Sequence, residues 1–178
     1  MSILKIAKMG HPILKLRAEE IQDPFDPEIQ ALIKNMLETM EDADGLGLAA
    51  PQVYMPKRLV IFFTPTDRSE LGNISILINP KISSLDEEVE LGWEGCLSVP
   101  GLRGLVPRYK RIEYSGLDQN GKEIYVQAEN LHARVVQHEC DHLDGYLYPQ
   151  RMKNLGDLVF ESELKHQKDD KIDKLDGE

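Results

Sequence analysis

Apolar side chains recur at helical spacing early in the chain, where Ile29, Leu32, Ile33, Met36, Leu37 and Met40 predict an amphipathic helix over residues 26–43. Its methionines are core material. The pattern then turns to strands. A Leu-Val-Ile-Phe-Phe run marks residues 58–64, and further strands are predicted at 75–81, 89–91, 111–117 and 123–128. The last two flank Gln119-Asn120-Gly121-Lys122, and Asn-Gly between alternating runs signals a hairpin. Helical periodicity returns over residues 130–143 and stops near Asp144-Gly145, and another helix is predicted over 156–166. Residues 167–178 are so rich in Lys and Asp that a disordered tail is expected. The order of elements predicts an α+β domain, largely antiparallel strands around one central helix at 130–143.

Composition narrows the class. The 178 residues carry a formal charge of −10, which argues against a phosphate-backbone partner, because nucleic-acid binders present basic stripes. No apolar run is long enough to span a membrane and no signal peptide is visible, so a cytoplasmic location is expected. Cys96 and Cys140 are the two cysteines, too few for a disulfide framework.

The candidate chemistry lies at residues 137–145, which read Gln-His-Glu-Cys-Asp-His-Leu-Asp-Gly. Residues four apart share a helix face, so His138 and His142 can grip one metal ion. Glu139, one step round, falls beside the open coordination position, where a general base for an activated water belongs. The motif argues for hydrolysis. Two imidazoles leave a tetrahedral site short of a ligand. His166, Asp144, Asp157, Glu161 and Glu163 stand downstream in no obvious ligand setting, whereas Cys96 lies in the glycine-flanked run Gly92-Trp93-Glu94-Gly95-Cys96-Leu97-Ser98-Val99-Pro100. A backbone of that kind can approach a ligand closely, which makes Cys96 the better third ligand. Cys140, two residues after His138, points about 200° away round the helix. A third segment, Gly45-Leu46-Gly47-Leu48-Ala49-Ala50-Pro51-Gln52, lacks the Gly-Lys-Ser/Thr of a phosphate loop but offers backbone groups and the Gln52 amide to a reacting carbonyl. On these residues alone, an endoprotease of the His-Glu-x-x-His type and a structural zinc module stay open.

Taken together, the three segments resemble the peptide deformylases, whose motifs Gly-φ-Gly-φ-Ala-Ala-x-Gln, Glu-Gly-Cys-φ-Ser and Gln-His-Glu-x-Asp-His match residues 45–52, 94–98 and 137–142 without a gap. The flanks are similar too, and the likeness covers about residues 3–155. It implies a single catalytic domain over residues 1–166 that removes the formyl group from the N-terminal formylmethionine of new polypeptides, releasing formate. Carried over residue by residue, the resemblance implies that Cys96, His138 and His142 bind one divalent ion, iron(II) in the cell, with zinc, nickel or cobalt able to substitute. Glu139 is then the general acid and base, and Gln52 with the Leu97 N–H stabilises the oxyanion. The backbone at Leu46 and Gly47 is expected to hold the substrate extended, with Arg103 near its outer end. Glu94 and Arg108 stand at positions that pair as a supporting salt bridge. The implied partners are formylmethionyl peptides and nascent chains. Two departures stand out. Asn130 replaces the glycine that many relatives carry before the metal-binding helix, and is expected to serve as its N-cap. Residues 157–178 hold eight acids against four lysines, which weighs against docking on the ribosome through the basic tail that some relatives use.

Overall fold

The computed structural model of the chain describes residues 2–64 and 73–167. Helix α1 (Pro27–Asp42) starts where the Asp26 carboxylate accepts the Glu28 N–H at 2.8 Å, with Pro27 at the first position, where no N–H is needed. Its buried face carries Ile29, Leu32, Ile33, Met36 and Met40, and Leu37, the sixth residue singled out by periodicity, packs beside them half-buried. Strands β1 (Gly47–Ala49), β2 (Leu59–Phe63), β3 (Ile74–Ser84), β4 (Val89–Cys96), β5 (Val99–Tyr109), β6 (Arg111–Leu117) and β7 (Glu123–Glu129) follow, then helix α2 (Asn130–Leu143) and strand β8 (Leu158–Phe160). They form a five-stranded sheet of order β1-β2-β3-β6-β7 and a three-stranded sheet of order β4-β5-β8, every pairing antiparallel. The class is α+β.

Strand periodicity of two decides which helix each side chain meets. Leu59, Ile61 and Ile78 pack with α1, while Val60, Phe62 and Leu77 pack with Ala133, Val136, Cys140 and Leu143 of α2. Helix α2 also touches β5, so it lies against both sheets, with its histidine-bearing face turned towards the smaller one. Cys140 belongs to the core between α2 and the larger sheet, 5% exposed, and burial pushes its thiol up to about 12, where it is inert.

Four features depart from the sequence reading or were not assigned by it. Residues 45–52, given no element there, hold edge strand β1 and the start of a 3₁₀ turn (Ala50–Val53). The region after Cys96 is the long strand β5, hidden in the sequence by Pro100 and Pro107. Strand β8 pairs only with residues 102–104 of it, so both prolines lie outside the stretch that is paired on two sides. The helix expected over 156–166 is instead a 3₁₀ turn, strand β8 and a second 3₁₀ segment, because the Leu-Val-Phe run fits the open edge of β5 better than a helix face. Asn130 is the first residue of α2, and its N-cap position is taken by Glu129 without a side-chain cap bond. With φ +54°, Asn130 holds a left-handed conformation that glycine adopts freely and Asn tolerates better than most residues. The expected tail beyond Gln167 lies outside the described residues.

Candidate metal and catalytic site

Strand β4 ends in Cys96, the two-residue turn Leu97-Ser98 leads into β5, and helix α2 runs across this hairpin. The crossing brings together one ligand atom each from Cys96, His138 and His142, all within 4.8 Å of one another. Cys96 Sγ and His142 Nε2 are 3.3 Å apart. His138 Nδ1 lies 2.9 Å from Glu94 Oε2, and since a carboxylate only accepts, Nδ1 carries the proton and Nε2 keeps its lone pair for a metal. Burial pushes the Cys96 thiol up, but His142 and His138 outweigh it and hold the group well below its ordinary value, towards the thiolate a cation needs. Soft sulfur gathered this closely with two imidazoles suits a divalent transition metal.

Glu139 is buried beside this cluster. Among the described residues, its Oε2, His142 Nδ1 and Tyr148 Oη are buried without a hydrogen-bond partner. Desolvation lifts the Glu139 carboxyl to about 7 against the opposing pull of His138 and His142, and a bound cation would lower it again. The carboxylate rests on the Cα of Gly47, where any side chain would overlap it. Gly47 is therefore fixed by close approach. Gln52 is oriented by its own backbone neighbourhood: Oε1 accepts the Ala49 N–H at 2.8 Å, which turns Nε2 towards Ser98 Oγ at 3.1 Å and Cys96 Sγ at 3.5 Å. That amide donor faces the cluster.

A buried charge network supports the histidines. Glu94 accepts from Arg108 Nε at 2.9 Å and Nη2 at 3.0 Å, from Arg134 Nη1 at 2.9 Å and from His138. Burial alone would raise the Glu94 carboxyl, yet His138 and Arg108 hold it well below the usual carboxylate range. Arg108 also reaches Asp141, which Arg151 clamps from the other side. The ring of Tyr148 stacks on His138, centroids 6.3 Å apart. Replacing Glu94 by Ala removes the buried carboxylate that Arg108, Arg134 and His138 share, so we expect a loss of about 3–5 kcal/mol in stability. Differential scanning calorimetry would read this as a fall of roughly 10 °C in Tm.

A cavity of about 500 Å³ opens over the cluster, and Leu46, Gly47, Gln52, Glu94, Cys96 and Leu97 line it together with Arg103, His138 and Glu139. His142 and Arg108 lie beneath the surface. Three contributors escaped the sequence reading, Lys8, Arg134 and Tyr148, while Asp141, a fixed position of the third motif, was given no role there. Arg134 stands four residues before His138 and so shares its helix face, a spacing that could have flagged it. Lys8 and Tyr148 reach the site through tertiary packing alone.

Comparison with known proteins places this geometry. Residues 3–157 match the family model described as polypeptide deformylase. The chain is 54% identical over 154 residues to a protein named peptide deformylase 1 from Bordetella pertussis, covering 84% of this chain and 88% of that one. A peptide deformylase 2 from Ralstonia nicotianae is 51% identical over 162 residues, covering 89% and 92%. Among solved structures, the Met-Ala-Ser-bound class I type b peptide deformylase of Acinetobacter baumannii superposes with TM-score 0.79 at 36% identity, covering 85% of this chain and 99% of that one. The Thermotoga maritima peptide deformylase gives 0.80 at 34%, covering 86% and 100%. A matched model over most of the length, close relatives aligned almost end to end and a shared fold converge, and the chain belongs to the polypeptide deformylase family.

Proposed function

We propose that the groups gathered between α2 and the β4–β5 hairpin hydrolyse the formyl amide of N-formylmethionyl peptides and release formate. The observation that carries this reading is the Cys96, His138 and His142 cluster with an unpartnered, buried Glu139 carboxylate oxygen beside it. Cys96, His138 and His142 would hold a divalent cation, which supplies a Lewis acid that lowers the pKa of an adjacent water and polarises the formyl carbonyl. Glu139 takes the proton from the attacking water and passes it to the departing amine. Gln52 Nε2 and the Leu97 N–H meet the negative charge that develops on the former carbonyl oxygen. Glu94 fixes the His138 ring so that its metal-facing nitrogen stays aimed.

The peptide chain lies extended along Leu46 and Gly47, with Arg103 towards its outer end. Iron(II) is the cellular ion on this reading, supported by the family resemblance. The donor set accepts zinc, nickel and cobalt as well. The substrates are nascent chains in the cytoplasm.

A discriminating experiment sets formyl-Met-Ala-Ser beside acetyl-Met-Ala-Ser and a casein digest. We expect kcat/KM for the formyl peptide to exceed that of the acetyl peptide by at least about 10²-fold, since an added methyl on the reacting carbon removes electrophilicity and must fit between the Gly47 and Leu97 backbones. Comparable rates for the two would point to a general amidase, and internal cleavage of casein to an endoprotease.

A further inference from the structure

The open end of the cavity carries an ion pair that none of the reacting groups uses. Arg103 donates from Nε at 3.0 Å, and from Nη2, to Glu161 Oε1, and both residues line the cavity. The backbone delivers this pair. Arg103 is the register partner of Val159 in β8, and Glu161 follows two residues later, so docking of β8 on β5 carries the carboxylate to the guanidinium. The guanidinium rests against Gly95, where a side chain would collide with it, and Gly95 immediately precedes Cys96 on β4. Two other cations that line the cleft are already engaged by the protein itself. Lys8 Nζ donates to the Leu97 carbonyl at 2.8 Å, and Arg134 is tied to Glu94 and to the carbonyls of Glu90 and Val106. A peptide lying along Leu46 and Gly47, with its outer end towards Arg103, therefore meets that guanidinium with a carboxylate already on it.

We propose that Glu161 is a specificity-determining residue for deformylation: by occupying Arg103 at the mouth of the cleft, it disfavours peptides with an acidic side chain there and admits neutral and basic ones. The inference rests on the deformylase reading and adds a substrate preference to it. An acidic substrate group has to displace Glu161 from the guanidinium or sit beside a like charge, whereas a lysine meets a carboxylate. The two side chains are 38% and 54% exposed, so solvent and salt weaken the effect, and a change of about three- to fivefold in kcat/KM is the scale to expect.

The test uses the metal-loaded, full-length chain and formyl-Met-Ala-Xaa-Ser amides with Xaa Glu, Gln or Lys, formate release being followed at low salt. For the wild type, Xaa Lys and Gln should exceed Glu. In Glu161→Gln the Glu-to-Gln ratio of kcat/KM should rise roughly three- to fivefold, and in the double variant Arg103→Gln, Glu161→Gln that rise should vanish. A ratio that stays at its wild-type value in Glu161→Gln overturns the proposal, and a uniform fall for all three peptides would make Glu161 a prop for Arg103 and nothing more. Formate release from the Gln peptide by the wild type checks the deformylase reading separately from the ratio.

Discussion

Glu139→Gln leaves the metal in place and lowers kcat on formyl-Met peptides by about 10²–10⁴-fold, the usual value of a positioned general base. The amide has the shape of the carboxylate and fits the same space against the Gly47 Cα, so no repacking accompanies the change. Glu139 stands apart from the Cys96, His138 and His142 cluster proposed to hold the ion, and Glu94 still grips His138. What disappears is the oxygen able to take a proton. The measurement pairs metal content after gel filtration with steady-state kinetics, since stoichiometry and turnover should part company. A variant that retained more than about a tenth of the wild-type kcat would remove Glu139 from the role of base.

The separation expected between these two readouts was legible in the sequence, and the reason is local. His138, Glu139 and His142 sit on one helix, where the angle between side chains follows from spacing alone, and the prediction that Cys140 faces the opposite way agrees with its place in the core. Helix α1 was readable for the same reason, from one continuous apolar stripe, and its start at the Asp26 cap and Pro27 agrees with that reading. Cys96 was reached by a weaker argument, glycine flanks and the lack of a better ligand. Its distance to His142 depends on how the β4–β5 hairpin crosses α2, which no local pattern encodes.

Strand β5 was missed because Pro100, Gly101, Gly104 and Pro107 read as loop residues. The long antiparallel pairing with β4 overrides those preferences. The end of the described chain was misread in the opposite sense. Leu158, Val159 and Phe160 fit a helix on paper, but the unpaired edge of β5 offers them a ladder. This second error matters for the site, because the strand, and not the predicted helix, sets Glu161 beside Arg103. The Glu94 network shows the same limit. The resemblance suggested the pair with Arg108, while the arrival of Arg134 and the link to Asp141 required the folded arrangement of three elements.

Cys96→Ala and His142→Ala should each lose the metal, whereas Cys140→Ala should keep it, and this contrast tests the whole placement of α2. Cys96 Sγ and His142 Nε2 face each other at 3.3 Å, and removing either leaves two donors for an ion that takes at least three from protein. Cys140 lies in the apolar layer against Val60 and Phe62 of β2, 5% exposed, so truncating it deletes one buried sulfur and costs about 1 kcal/mol. Because the ion binds the folded chain in preference to the unfolded one, it also adds stability: at a thousandfold excess over Kd, about 4 kcal/mol. A chelator should therefore lower the Tm of the wild type and of Cys140→Ala, and leave Cys96→Ala where it was. Elemental analysis after gel filtration and thermal melts with and without chelator supply both readings on the same samples. A folded Cys140→Ala protein without metal, or a Cys96→Ala protein that binds it at full stoichiometry, would mean that α2 presents a different face to the β4–β5 hairpin.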